Sequence, residues 1–333
     1  MKILLYLENR KGLSNSGIGR ALSHQMKALE SQGIEYTLDP SDTYDLAHIN
    51  SNAQKSYSLL KKCKRNNIPV IAHGHSTHED FKESFRCWQL MAPFYNHMMN
   101  RMYTKADLII TPTEYSKKLI ENYKNVNCPV EAVSNGIVLS LYEKNEENIK
   151  NFENMFNIEK NDKVIIGVGF YFKRKGIDDF MEIARHHRDV KFIWFGYLNK
   201  LLTTSYCLKV IKNKPDNVIL PGYIKGDIMN GALHRASAML FPTREETEGI
   251  VVLEAFASHL PLITRDIGVY QDWLTKDNSY KCRSIDDFDK AVDNIFTKDQ
   301  TSLTSNAYKV AEERSIEKVG ERLKQIYSSL LSK

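Results

Sequence analysis

The chain alternates short apolar runs with longer amphipathic stretches, and it does so twice. In the first half, apolar runs at 3–7, 46–49, 70–73, 108–111 and 130–133 read as buried strands, since a strand covered on both faces has few polar positions to alternate with. Between them, 18–31, 57–66 and 116–123 carry apolar residues at helical spacing. The second half repeats the scheme with strands at 164–168, 192–195, 218–220, 238–241 and 262–264, separated by helices such as 176–187 and 227–235. This twofold alternation predicts an α/β protein built from two parallel, doubly wound, Rossmann-like sheets. Residues 143–160 are polar, Asn-rich and strandless, so the junction is expected there, with domains at 1–145 and 146–310. The stretches 286–296 and 305–331 read as amphipathic helices that close the chain.

Composition agrees with two folded domains. At 333 residues, with 42% apolar and 26% charged, the chain is globular, neither disordered nor membrane-spanning. No apolar run approaches the ~18 to 20 residues that cross a bilayer. The opening Met1-Lys2-Ile3-Leu4-Leu5-Tyr6-Leu7-Glu8 is charged too soon for a signal peptide and reads as the first strand. Cys63, Cys87, Cys128, Cys207 and Cys282 are odd in number, scattered and without a CxxC pair, which suggests reduced cytosolic thiols and no structural zinc. The net charge of +5 is uneven: residues 1–135 hold 17 Lys and Arg against 13 Asp and Glu. That is a mild pull toward anionic surfaces, lipid or nucleic acid, and decides nothing alone.

The chemistry is expected in 238–258. An apolar strand ends at Phe241-Pro242, a polar loop follows, and Gly249 opens an apolar helix through Ser258. Helix-start amides at Gly249, Ile250 and Val251 are then left without helical partners at the carboxyl end of a strand, an anion site. Glu246, in the loop, is placed to meet a neutral polyol, and Glu254 sits in the second helical turn. A phosphate between two polyols, as in a nucleotide sugar, would fit, although two solvated carboxylates around a loop would read the same way. Further back, Phe172-Lys173-Arg174-Lys175-Gly176 sets consecutive cations after another buried strand, suited to a pyrophosphate or simply to a solvated turn.

In the first half, Ser16-Gly17-Ile18-Gly19-Arg20 follows the opening strand and starts a helix, so Gly17 and Gly19 allow close approach of a ligand, or of a neighbouring turn, with Arg20 the nearest cation. His73, His75 and His78 crowd the end of the strand at 70–73, with His73 and His75 on one face. A metal there would need Glu79 or Asp80 as further ligands, so none is assigned. The segment 81–103 is aromatic and basic, with Arg86, Trp88 and Arg101 among its residues, and Lys61-Lys62-Cys63-Lys64-Arg65 is a second basic cluster. Both suit the headgroup layer of a membrane, and both suit ordinary helix packing and dipole complementation.

The loop pattern Glu246 to Glu254, with Gly249 between and Glu254-Ala255 closing, resembles the donor-site motif of retaining GT-B glycosyltransferases of family 4. Thr113-Glu114-Tyr115-Ser116 and Ser134-Asn135-Gly136 resemble that family's landmarks at the end of its first domain, and Arg174-Lys175-Gly176 resembles its Arg/Lys-Lys-Gly, all in the family's order. The resemblance implies a GT-B fold, two doubly wound domains facing across a cleft, with residues 311–333 crossing back to the N-terminal domain. It implies that Glu246 holds donor-sugar hydroxyls and Glu254 the ribose, that Arg174 and Lys175 hold the diphosphate, and that His75 lies near the anomeric carbon, with His73 as second choice beside Arg20 on the acceptor side. Phe170 stands where the family has a first Arg, which leaves Lys175 and Arg174 alone at the phosphates.

His75-Ser76-Thr77-His78-Glu79-Asp80-Phe81 resembles the run of members that glucosylate diacylglycerol, while Leu5-Tyr6-Leu7-Glu8 with Ser16-Gly17-Ile18-Gly19-Arg20, Tyr44-Asp45-Leu46-Ala47-His48-Ile49-Asn50 and His73-Gly74-His75-Ser76-Thr77 resemble bacterial members that add a second hexose to monoglucosyl-diacylglycerol. That implies a UDP-glucose or UDP-galactose donor, a lipid or glycolipid acceptor and peripheral attachment to the cytoplasmic side of an anionic membrane. It implies no cofactor or metal and no nucleic-acid partner, and leaves the oligomeric state open. A capsule or teichoic acid glycosyltransferase of the same fold would share the donor residues. A sugar-nucleotide epimerase of this architecture would act without lipid.

Overall fold

The computed structural model describes residues 1–14, 16–84, 86–197 and 201–332. The first part of the chain runs β1 (Lys2–Tyr6), α1 (Arg10–Leu13), α2 (Gly17–Ser31), β2 (Glu35–Thr37), β3 (Leu46–Ile49), α3 (Gln54–Arg65), β4 (Val70–His73), α4 (Trp88–Tyr103), β5 (Leu108–Thr111), α5 (Glu114–Glu121) and β6 (Val130–Ala132). A 3₁₀ turn at Leu139–Tyr142 leads to α6 (Glu146–Phe156), β7 (Lys163–Val168), α7 (Ile177–His186), β8 (Val190–Phe195), α8 (Ser205–Lys212), β9 (Val218–Gly222), α9 (Asp227–Arg235), β10 (Ala238–Phe241) and α10 (Ile250–Ala257). The chain closes with β11 (Leu262–Arg265), β12 (Tyr280–Cys282), α11 (Ile285–Thr297), α12 (Thr301–Glu312) and α13 (Ile316–Leu331).

Two compact units result. One comprises Met1–Phe81, Gln89–Val138 and Glu313–Lys333; the other comprises Lys82–Trp88 and Leu139–Glu312. The first holds a parallel sheet in the order β2-β1-β3-β4-β5-β6. Strands β3, β4 and β5 are buried along their whole length, which is why they read as unbroken apolar runs. Helix α13 belongs to this core: Ile316, Val319, Leu323, Ile326 and Tyr327 pack with Leu22, Ala28 and Leu29 of α2. A side chain at Gly320 would stand 2.3 Å from the Ala28 carbonyl oxygen, so glycine sets how closely the two helices approach. The amide of Ile137 donates to Arg314 and that of Ile316 donates back to Ile137, each at 3.0 Å.

The second unit holds a parallel sheet in the order β12-β11-β10-β7-β8-β9. Its core is aromatic, with Phe180, Phe192, Trp194 and Phe288 buried around Ile165, Leu240 and Ile263.

Four features differ from the sequence expectation. The strandless junction contains helix α6, capped by Asn145, whose side chain accepts from the amides of Glu147 and Asn148. The single closing helix at 305–331 is two, because the chain breaks at residues 313–315 to pair with Ile137 and restarts with Ser315 as N-cap. The aromatic segment at 81–103 is helical only from Trp88, and residues 82–88 pack in the second unit. Strands β2 and β12, at the sheet edges, were not foreseen.

Candidate active site

Each sheet reverses its winding once: between β1 and β3 in the first unit, and between β7 and β10 in the second. Ligands in such sheets bind beyond the carboxyl ends of the strands at that reversal. The donor- and acceptor-site residues singled out by sequence lie at or after the carboxyl ends of β1 and β4 in the first sheet and of β7 and β10 in the second.

In the second unit, the loop after β7 makes a 3₁₀ turn at Lys173–Lys175 and ends at Gly176, left-handed at φ 74°. A Cβ there would lie 2.2 Å from the Pro242 carbonyl oxygen, so only glycine lets this loop touch the one after β10. The amide of Arg244 donates to the Arg174 carbonyl at 2.7 Å, and Arg174 Nη1 donates to the Glu245 carbonyl at 2.8 Å. Arg174 Nε donates to Ser84 Oγ at 3.0 Å, and Lys173 Nζ to Glu83 at 3.0 Å. Beneath, Arg244 forks onto Asp178 at 2.8 and 3.0 Å and reaches Asp179, which also pairs with Arg265.

Glu246 sits where the loops meet. It is 7% exposed, ion-paired with Lys175 through Oε1, accepts from Thr243 Oγ1 at 2.8 Å and lies 3.8 Å from Arg174 Nη1. Burial pushes its carboxyl up, but the charges of Lys175 and Arg174 and the bonds from Lys175 and Thr243 prevail, holding it below the ordinary range. The loop carboxylate expected to meet a neutral polyol is thus held by the very cations expected to hold a diphosphate. Local spacing could not reveal this, because the partners are 71 residues apart.

Gly249, at φ 87°, N-caps α10, so Ile250 and Val251 begin the helix at this same end of β10. Glu254 is buried one turn on and accepts from Tyr142 Oη at 3.0 Å. Phe170, which takes the place of a cation, is 37% exposed, and Tyr197 and Tyr223 stand exposed beyond β8 and β9.

In the first unit, Gly17 begins α2 and the cap is Ser16. Ser16 Oγ accepts from the Gly19 amide at 3.2 Å, and a side chain at Gly19 would stand 2.2 Å from the Leu13 carbonyl oxygen. Gly19 therefore serves packing and its amide is already bonded, whereas the Gly17 Cα faces open space. Arg20 is half-buried in the first turn.

The histidines form a neutral polar core beyond β3 and β4. His75 and His73 stack with ring centroids 3.9 Å apart, and His73 lies 5.1 Å from His48. His75 Nε2 bonds Asn50 Oδ1 at 2.7 Å. Asn50 and Gln25 exchange two amide bonds of 2.9 Å, and Gln25 Nε2 reaches His73 Nδ1 at 3.0 Å. His48 Nε2 meets the same Nδ1 at 3.0 Å, and His48 Nδ1 meets Tyr327 Oη at 2.8 Å. Burial lowers His75 and His48 to about 3, His48 further because His75 is near, and lowers His73 well below its usual range. His24, bonded to the Gly136 carbonyl at 2.8 Å, is lowered to about 4 by burial despite that bond. Gln25 and Tyr327 were not singled out in the sequence, and His48 and Asn50 entered only as part of the resembling run Tyr44 to Asn50. Among the described residues, no group of three or more His, Cys, Asp or Glu is arranged to hold a metal ion.

The basic positions are exposed at the end of α3. Lys61, Lys64, Arg65 and Lys105 line a cavity of about 550 Å³ with Leu60, while Lys62 lies beside it in sequence. Lys64 pairs with Asp107 at 2.5 Å. Arg101 is engaged, donating to Gln54 at 2.7 Å and stacking 4.4 Å from the Tyr57 ring centroid. Arg86 is exposed and Trp88 half-buried, while Leu90 is 83% and Phe94 67% exposed on α4.

Known proteins match this chain throughout. The family described as "Glycosyl transferases group 1" matches residues 148–313, and "Glycosyltransferase Family 4" matches residues 38–141. The chain is 50% identical over 333 residues, 99% of each sequence, to a protein of Acholeplasma laidlawii named processive diacylglycerol alpha-glucosyltransferase. It is 26% identical to the alpha-monoglucosyldiacylglycerol synthase of Streptococcus pneumoniae, over 70% of this chain and 54% of that one. Among solved structures, sucrose-phosphate synthase from Thermosynechococcus elongatus superposes with a TM-score of 0.82 at 14% identity, over 100% and 99% of the two chains. Anabaena HepE in complex with UDP-glucose gives 0.76 at 15%, over 99% and 100%.

Proposed function

The chain belongs to glycosyltransferase family 4, with the GT-B fold, and from that premise we propose that it is a retaining enzyme moving glucose from UDP-glucose to a diacylglycerol-based glycolipid. The observation that carries this reading is the meeting of Lys175, Arg174 and Glu246 at the winding reversal of the second sheet, beside the start of α10.

The diphosphate takes Lys175, Arg174 and the amides at Gly249, Ile250 and Val251, while Glu246 holds sugar hydroxyls and Glu254 the ribose. Tyr197 and Tyr223 offer exposed rings for the base. During transfer the bond from the anomeric carbon to the phosphate oxygen breaks, and charge grows on the diphosphate where cations and helix amides already point. The acceptor hydroxyl oxygen forms the new bond on the same face, and its proton passes to the departing phosphate. Because Lys175 and Arg174 supply the positive charge, no metal ion is needed. In the first unit we assign His75 to the reacting sugar and Arg20 to the acceptor.

Glucose and the lipid acceptor are favoured by the end-to-end identity with a diacylglycerol glucosyltransferase. Monoglucosyl-diacylglycerol is the acceptor we favour, giving a diglucosyl lipid. Membrane contact is supported by exposed Leu90, Met91 and Phe94 on α4 and by the basic cavity at Lys61, Lys64, Arg65 and Lys105. Such a surface binds peripherally, apolar side chains entering the headgroup layer and cations meeting anionic lipids. We place it on the cytoplasmic face.

The test incubates the protein in EDTA with labelled UDP-glucose or UDP-galactose and vesicles containing diacylglycerol or monoglucosyl-diacylglycerol. Label from UDP-glucose should enter a glycolipid. Label from UDP-galactose alone would replace the sugar, and absence of lipid-bound label from either donor, with or without added divalent metal, would overturn the reading.

A further inference from the structure

One stretch of the chain belongs to a different unit from its neighbours. After Phe81 the chain leaves the first unit, residues 82–88 pack in the second, and the first resumes at Gln89. Glu83 at φ 55° and Cys87 at φ 59° are left-handed, a conformation that residues other than glycine disfavour and that the surroundings must hold. The bonds that hold this stretch include Lys173 Nζ to Glu83 at 3.0 Å, Arg174 Nε to Ser84 Oγ at 3.0 Å, and the Arg86 amide to the Leu202 carbonyl at 2.9 Å.

These bonds are not equal. The Glu83 and Lys173 side chains are both half-exposed, and an ion pair open to water contributes little. Ser84 is 2% exposed and the Arg174 side chain 12%, and a hydrogen bond to a charged group shielded from water is costly to lose. Ser84 accepts the Nε hydrogen and the Glu245 carbonyl accepts one from Nη1 at 2.8 Å, so the planar guanidinium is gripped at two of its three nitrogens. The third, Nη2, makes no bond among the described residues. With either grip gone the group would pivot about the other, and a long cation that must be ordered at binding holds a ligand less well than one already fixed.

We propose that Ser84 is a positioning residue of the donor site, which fixes Arg174 for the diphosphate from a segment whose chain on either side belongs to the first unit. This rests on the reading of Arg174 as a diphosphate ligand.

The experiment measures UDP binding by calorimetry, and rates with UDP-glucose and vesicles of monoglucosyl-diacylglycerol, for the full chain, Ser84→Ala, Arg174→Met and the double variant. Ser84→Ala should weaken UDP binding and raise KM for UDP-glucose about five- to tenfold, with KM for the lipid within about twofold. In the Arg174→Met background the same change should weaken UDP by less than about twofold, because no guanidinium is left for Ser84 to hold. UDP affinity unchanged in Ser84→Ala but weakened in Arg174→Met would overturn the positioning role and leave the diphosphate site standing. An equal loss from Ser84→Ala in both backgrounds would overturn it as well, since Ser84 would then act on the fold of the loops, and so would a loss that falls on the lipid KM instead. UDP binding unchanged by Arg174→Met would remove Arg174 from the diphosphate, and this inference with it.

Discussion

The two winding reversals solve the same problem, holding polar groups in a buried crevice, with opposite chemistry. In the second unit Glu246, Lys175, Arg174, Arg244, Asp178 and Asp179 are charged and neutralise one another. In the first, Gln25, His48, Asn50, His73, His75 and Tyr327 carry no charge and are hydrogen-bonded to one another. Charge pairs tolerate imperfect angles and respond strongly to the loss of a partner. Neutral networks depend on which atom bears each hydrogen, so small changes can reverse them. A site that must gather a diphosphate benefits from the first kind, and one that must orient a neutral hydroxyl benefits from the second.

Breaking the charged side should give the largest effect. Glu246→Ala removes the sugar contact and takes a buried carboxylate partner from Lys175, so kcat/KM with UDP-glucose should fall by a hundredfold or more, on the order of 3 kcal/mol. Steady-state rates check this, and turnover within a few-fold of the parent would separate Glu246 from the site.

Acid should then distinguish the two regions. His24, His48, His73 and His75 have folded-state values below that of the unfolded chain, so between about pH 6.5 and 4 the unfolded state binds more protons and folding weakens as pH falls. Each histidine contributes up to about 1.4 kcal/mol per pH unit in that window. The cations facing them, Arg20 and Lys27 beside His24, only deepen the trend. Glu246, also depressed, loses its contribution only below the unfolded carboxylate value near 4.5. Hydrogen exchange at pH 5.5 should therefore show the first unit loosened more than the second, where burial also lowers His234.

The smallest effect concerns the surface. Reversing Lys61, Lys64 and Arg65 to Glu should weaken binding to anionic vesicles by roughly 1 kcal/mol per cation, and flatten its salt dependence, with turnover of a soluble acceptor analogue unchanged. Vesicle sedimentation measures it, and binding as tight as the parent's would locate the membrane surface elsewhere.

What could be read in advance follows the same division. Strands β3, β4 and β5 were legible because burial on both faces leaves them unbroken and apolar. Edge strands β2 and β12, Glu35-Tyr36-Thr37 and Tyr280-Lys281-Cys282, are too short and too polar to stand out. The loop from Glu246 to Glu254 was legible because its parts are local. The grip of Lys175 and Thr243 on Glu246 was not, because the partner loops meet only in the folded sheet. The network from Tyr327 to His75 was least legible, with His48 and Tyr327 279 residues apart in sequence.

Helix α13 also bears on how the molecule is made. The ribosome makes the strands of the first unit before the second unit, yet the residues that seal its core, Ile316, Val319, Leu323, Ile326 and Tyr327, emerge only after the second unit. During synthesis the first unit must therefore wait with an uncovered apolar groove along α2 while the other assembles. A ribosome stalled before residue 316 would display that groove, and such nascent chains are where chaperone capture should concentrate.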